Sequence, residues 1–359
     1  MKNYHRIFFI KILYILFIIL SLNIFFFSTT KVVGKSFEIS NISISRPFEI
    51  NFNKNDVIDE GFRVSYKQLL SLILNSSDQK KINQVKLNEI KGMIESFTIQ
   101  EEKFIDETYH VNLGVSFNRK KVFSFLEKKN IFPSIPKTKK FLFIPIIIDE
   151  DSKNLLLFYN NEFYKRWNSK ESNSHLIQYI LPTEDIEDVN LLKDKFDSIE
   201  KYDFKSVISK YDLEDFIVAL IFKDEKGLRI LSKITLNNNV ILKNQTLTDI
   251  DLNSLDEVDN IIQTLKVIYE DHWKNINQIN TSIKLTLNIK VSNSDSLKIS
   301  RFEKVLDEID LVYDFAIFKL NKDFVYYQII FNGTPNIFIK KMDKLDFNFD
   351  TQNQIWILQ

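Results

Sequence analysis

The sequence predicts a multi-module protein of α+β and α/β class, with a central mixed α/β sheet domain and a carboxyl-terminal ferredoxin-like β-α-β-β-α-β domain. Three observations predict it. Two long apolar runs, 141–148 (FLFIPIII) and 215–222 (DFIVALIF), have the composition of strands covered on both faces. Helical and acidic segments separate them, which gives strand, helix, strand, helix, strand and a parallel core with an antiparallel extension. From 283 to 358 the pattern runs strand, helix, hairpin, helix, strand, the ferredoxin-like order.

The elements follow in chain order. Residues 37–44 alternate loosely and fit an edge strand. Phe62, Tyr66, Leu69, Leu70 and Ile73 recur at the helical period, predicting a helix over 60–74, which Asn75-Ser76-Ser77-Asp78 stops. A second helix fits 83–95. Segments 97–104 and 109–117 read as a hairpin, the latter with strict alternation of Tyr109, Val111, Leu113, Val115 and Phe117. A short helix over 120–129 completes this first module, 37–135. Pro133 and Pro136 then mark a linker, because proline continues neither kind of element.

The central domain spans 138–250. A helical aromatic segment, 155–167, lies between the run at 141–148 and a second strand at 176–181. Helices follow over 189–196 and 204–210, and then a strand at 215–222. Segments 228–236 and 239–247 form a hairpin around Asn237 and Asn238. The third unit, 254–359, opens with Ser254-x-x-Glu257, a capping box with Asp256, Glu257 and Asp259 in the favoured first turn. A long helix through Trp273 precedes the ferredoxin-like pattern. There Thr334 is the expected cap and Pro335 the first residue of the last helix.

Residues 1–34 stand apart. Lys2, His5, Arg6 and Lys11 precede an apolar run over 12–27 broken only by Ser21 and Asn23, and Val32-Val33-Gly34 supplies residues a signal peptidase accepts. The segment reads as a cleaved signal or as a single uncleaved membrane anchor. Either way the basic start places the remainder outside the cytoplasm, in the periplasm or on the inner membrane facing it. With no cysteine there is no disulfide, thiolate metal site or cysteine nucleophile. Lys plus Arg and Asp plus Glu are 48 each, a balance that argues against nucleic acid as a partner.

No catalytic constellation emerges from the sequence. The four histidines are scattered, and none has a partner at metal-ligand spacing. The six glycines lie far apart, which excludes a phosphate-binding loop and a nucleophile elbow, since both need glycines at fixed spacing. The acidic turn Glu184-Asp185-Ile186-Glu187-Asp188 has two readings. One is a divalent-cation site; the favoured one is a helix start with Thr183 as cap. The aromatics Phe158, Tyr159, Phe163, Tyr164 and Trp167 line either a core, the favoured reading, or a ligand groove.

Over 141–188 the chain resembles a family of uncharacterised proteobacterial envelope proteins, a domain of unknown function behind a signal peptide. That family has an apolar strand, Leu-Trp, Asn-Pro-Trp-x-x-Ala-Trp, and a strand ending Pro-x-Gly-Asp-x-x-Asp. Leu157-Phe158 stands for the first pair. Asn161, Phe163 and Trp167 fall on the second motif, with Glu162 and Arg166 replacing its Pro and Ala. Pro182, Asp185 and Asp188 fall on the third, with Glu184 replacing Gly. His272-Trp273-Lys274 is similar to its Trp-Lys step, and Trp356-Ile357-Leu358 to its closing Trp-x-Leu. The middle of the chain is also similar in layout to amino-terminal α/β domains of periplasmic translocation and outer-membrane assembly proteins. The resemblance implies a compartment and a fold, and no reaction.

The expectation is a non-enzymatic cell-envelope protein that acts on other envelope proteins by contact, with no cofactor. The alternative is an envelope enzyme or small-ligand protein using the aromatic segment and the Asp185/Asp188 turn. Asn161, Phe163, Trp167, Pro182, Asp185, Asp188, Trp273 and Trp356 are the candidate interaction or structural residues.

Overall fold

Three sheets carry the chain. The computed structural model describes residues 37–82, 84–169, 175–224, 227–248 and 250–359. The leader, and with it the choice between signal and anchor, lies outside the described residues. No helix among the described residues is long and apolar enough to cross a membrane.

The first module contains β1 (Glu38–Pro47), α1 (Lys54–Ile73), α2 (Ser76–Lys81), α3 (Leu87–Met93), β2 (Ile94–Ile105), β3 (Thr108–Phe117) and α4 (Arg119–Lys128). Its sheet has the order β1-β3-β2, antiparallel throughout. The alternating residues of β3, Tyr109 to Phe117, are all buried, as that pattern predicts for a half-buried strand. Helix α1 lies on them so closely that a Cβ on Gly61 would come within 2.3 Å of Leu113 Cδ1. It starts six residues before the expected position because Asn53 caps it, accepting the Asn55 N–H at 3.1 Å. The helix expected over 83–95 is the shorter α3, which begins where Glu89 accepts the Lys86 N–H at 3.1 Å and gives way to β2 at Ile94. The segment read as a stop starts a helix of its own, α2, which Asn75 caps through the Asp78 N–H.

The central sheet is built from β4 (Lys139–Asp149), β5 (Asn154–Leu156), β6 (Ile177–Ile180), β7 (Phe216–Asp224), β8 (Gly227–Leu236) and β9 (Asn239–Thr248). Its order is β5-β4-β7-β8-β9, with β6 also on β4. Strand β4 runs parallel to β6 and β7, and β7, β8 and β9 are antiparallel neighbours. The apolar runs behave as their composition requires. Phe141, Phe143 and Ile147 point to one core, and Leu142, Ile144, Ile146 and Ile148 to another. Short helices α5 (Glu162–Arg166), α6 (Ile186–Lys193) and α7 (Lys205–Ile208) sit in the connections. The expected helix over 155–167 is replaced by β5, a single 3₁₀ turn at Phe158–Asn160 and α5. Phe158 has φ +46°, a left-handed conformation that no helix running through it could contain.

Helix α8 (Leu255–Ile276) follows, and then the third sheet. This comprises β10 (Leu285–Ser292), α9 (Ser296–Glu308), β11 (Val312–Leu320), β12 (Phe324–Phe331), α10 (Pro335–Asp343), β13 (Phe349–Asp350) and β14 (Ile355–Leu358). The ferredoxin-like element order is present, in a sheet ordered β11-β12-β10-β14-β13. Its last strand is a hairpin: β13 lies outermost, and β14 turns back to run parallel to β10.

Packing cuts across chain order in two ways. Although grouped by sequence with the third unit, α8 buries Val258, Ile261, Ile262, Leu265, Tyr269 and Trp273 against the central sheet. Its Ser254 cap is present, but Glu257 reaches back to the Asp251 N–H rather than to Ser254. The first and third modules, in turn, share one continuous apolar cluster from Phe37 to Leu358. Arg119 of α4 donates to the Ile309 carbonyl at 2.9 Å, and Lys284 pairs with Glu127 at 3.0 Å. Main-chain hydrogen bonds join 133–135 to 277–279.

The core between the central sheet and α8 is aromatic. Trp167 is fully buried and stacks on Phe143, with ring centroids 3.7 Å apart and planes at 23°. Tyr179 meets it edge-on at 5.3 Å. Replacing Trp167 by Ala leaves a large void among rigid neighbours. The expected cost is about 3–5 kcal/mol, read from urea unfolding; unchanged stability would show that the indole is not part of the core.

Candidate functional site

Asn161 organises the aromatic segment. It is fully buried and sits at the N-cap of α5, where Oδ1 accepts the N–H groups of Phe163 (2.9 Å) and Tyr164 (3.3 Å). Its Nδ2 donates to the carbonyls of Pro145 (3.1 Å) and Leu156 (3.2 Å), so one amide ties β4, β5 and α5 together. That arrangement turns Phe163 and Trp167 inward, both with 0% exposure. The two rings therefore line no groove, and of the five aromatics only Tyr159 is exposed. Tyr164 donates to the Pro182 carbonyl at 2.7 Å and anchors the end of β6.

The acidic turn is a helix start closed by a cation from elsewhere in the chain. Asp185, rather than Thr183, is the N-cap of α6, accepting the Glu187 N–H at 2.8 Å. Thr183 instead meets the Tyr211 hydroxyl. Lys210 Nζ donates to Asp185 (2.5 Å) and to the buried Asp188 (2.7 Å). The Lys210 hydrogen bond, then the Glu187 N–H, holds the Asp185 carboxyl below its ordinary range, and the two carboxylates raise Lys210. The ammonium bridges the two aspartates. Among the described residues no group of three or more His, Asp or Glu is arranged to hold a metal.

Trp273 shares the core of Phe163 and Trp167, and its indole N–H donates to the Lys137 carbonyl at 2.6 Å. Trp356 lies in the third sheet, packed on Phe338 and Phe349. The structure thus unites Asn161, Phe163, Trp167 and Trp273 on one side of the central sheet. It keeps Asp185 and Asp188 with Lys210 and places Trp356 in another module.

Sequence reasoning missed a row of buried charges on α8: Asp259, Lys266, Glu270 and Lys274. Asp259 receives Arg166 in a two-pronged pair at 2.7 and 2.8 Å. Lys266 lies over the rings of Trp167 and Tyr179, at 5.6 and 5.8 Å from their centroids. Glu270 Oε1 accepts the N–H groups of Leu176 (2.9 Å) and Ile177 (2.7 Å) at the entry to β6. Lys274, 3.9 Å from Glu270, donates to the Ser71 carbonyl of α1. His175 Nδ1 lies 3.9 Å from Glu270. Burial raises the Glu270 carboxyl against the lowering pull of those N–H groups and Lys274, and it lowers Lys266, Lys274 and His175. The only sequence signal is charge at 266, 270 and 274, a spacing shared with ordinary exposed helix pairs. Chemically this row fixes strands and helices, through Arg166, the N–H groups of Leu176 and Ile177, and the Ser71 carbonyl. No family model matches the sequence, and no curated protein matches it.

Two outcomes follow. Glu270→Leu leaves two N–H groups without their acceptor and the buried Lys274 ammonium without its neighbouring carboxylate, so it is expected to cost about 3–5 kcal/mol of unfolding free energy; Glu270→Gln, which keeps one acceptor oxygen, costs less. The Asp185–Lys210 pair makes stability acid-sensitive. Because the Asp185 pKa is depressed in the folded state, its contribution is full above the unfolded value of about 3.9 and is lost as pH falls through the folded one. Lys210→Met removes the largest cause, so urea midpoints of that variant should fall less than those of the wild type between about pH 6 and about pH 3.

Proposed function

We propose that the chain is a cell-envelope protein, periplasmic or held on the periplasmic side of the inner membrane, that works without catalysis by binding other envelope proteins. The observation that carries this reading is the state of the sheet edges. Strands β2, β9 and β11 each end a sheet. Each also exposes large apolar side chains: Phe104 and Ile105 on β2, Val240 and Leu242 on β9, Ile317, Phe318 and Leu320 on β11. At the end of β11 the three fall within four positions and are 52%, 50% and 65% exposed. An open edge with apolar side chains suits the addition of a partner strand, main-chain hydrogen bonds giving affinity and alternate side chains giving choice. The basic-then-apolar leader and the motif resemblance over 141–188 support the compartment. Burial of Phe163 and Trp167, and the pairing of Asp185 and Asp188 with Lys210, favour this reading over an enzyme that uses those residues.

Photo-crosslinking in intact cells tests this. A photoreactive residue placed at Ile105, Leu242 or Phe318 is expected to give discrete protein adducts, strongest at Phe318. The exposed Lys304 on α9 is expected to give none. No adduct at any edge position, or the same adducts at Lys304, would refute strand-edge binding.

A further inference from the structure

The first module contains a cavity of about 520 Å³ between α1, α2 and α3, a size within the range of small-molecule sites. Its lining has two characters. Buried Leu70, Ile82 and Ile90 give it an apolar base. Around them stand three exposed cations, Arg63 and Lys67 one turn apart on α1 and Lys80 opposite on α2. Like charges at that helical spacing repel, so this arrangement works against the helix unless an anion neutralises it. Three acids nearby are paired with other cations: Glu60 with Arg46, Asp59 with Lys91 and Asp78 with Lys81. Glu89 accepts the Lys86 N–H and keeps its charge close enough to Tyr66 to add to the effect of burial in raising that hydroxyl. Among the described residues none of the three cations meets a carboxylate. Independently, Tyr66 lines the same cavity with 3% exposure, and its hydroxyl has no hydrogen-bond partner. A buried hydroxyl without a partner costs free energy of about 1–3 kcal/mol, which an acceptor brought in by a ligand would recover.

We infer that this cavity binds a small single-tailed amphiphile with an anionic head, its tail on Leu70, Ile82 and Ile90 and its head on Arg63, Lys67 and Lys80, within reach of the Tyr66 hydroxyl. A purely polar anion would leave the apolar base uncovered, and a neutral or cationic amphiphile would leave the three cations unanswered. The inference is independent of strand-edge binding, since the cavity lies between helices and involves none of those edges.

Equilibrium dialysis of the full chain against labelled decanoate tests it. The wild type is expected to take up one equivalent saturably. The exposed-residue variant Arg63→Glu/Lys67→Glu is expected to bind at least about tenfold more weakly, with its melting temperature confirming that it remains folded. Val85→Trp, which projects bulk into the cavity from a half-buried position, is expected to abolish uptake. The leader is the same in all three proteins, so the differences between them read the cavity. The inference is overturned by any of four results: no saturable uptake by the wild type, unchanged affinity in the charge-reversed variant, equal binding of decyltrimethylammonium, or equal binding of inorganic phosphate alone.

Discussion

The Glu270 carboxylate receives the main-chain N–H groups of Leu176 and Ile177, and one turn further along the same helix Lys274 donates to the Ser71 carbonyl. Between them these two side chains attach α8 to the entry of β6 and to α1, that is, to the central sheet and to the first module. A buried carboxylate beside a buried ammonium gains little net stability, because desolvating both offsets most of their attraction. Its value is directional. An apolar stripe alone would let α8 slide or rotate on the sheet with little change in buried area. Acceptors and donors at fixed points allow one placement, and the Arg166–Asp259 pair fixes the other end of the helix in the same way.

Around that helix the central sheet is a layer with two different faces. On the α8 side lie aromatic rings, Phe143, Trp167, Tyr179 and Tyr269, in mutual contact. On the other side smaller aliphatic residues meet α6, α7 and the loop between them. Asn161 fixes the aromatic face to the strands, because it bonds to β4 and β5 and at the same time caps the helix that turns Phe163 and Trp167 inward. The aromatic segment thus takes the core reading that its sequence favours, through the packing of the sheet.

Much of this was legible in the sequence wherever a period repeats. The alternation in β3, the two-faced runs of β4 and β7 and the strand–helix order after 283 all emerged as expected, because each records burial along a single element. What the sequence leaves unread is pairing across distance. The stripe on α8 states how much of the helix is buried and says nothing of which sheet covers it. Lys210 lies 22 residues from Asp188, with no local pattern to connect them. Around Phe158 aromatic spacing suits helix and turn equally, and a left-handed residue decides between them. Buried charge at 266, 270 and 274 is indistinguishable in sequence from a solvated helix face.

The apolar cluster shared by the first and third modules also bears on how the chain comes to be folded. Its members run from Phe37 to Leu358, with the whole central sheet intervening in sequence. During synthesis, the early half of that cluster exists long before the late half that covers it. The residues of β1, β3 and α4 therefore wait, partly uncovered, until β10 to β14 arrive. Contacts of such long sequence separation form slowly, and open apolar surface in the interval favours association with other chains. The central sheet, whose strands and covering helix all lie between 139 and 276, is under no such delay. The molecule is thus expected to mature from its middle outwards, with its two ends joining last.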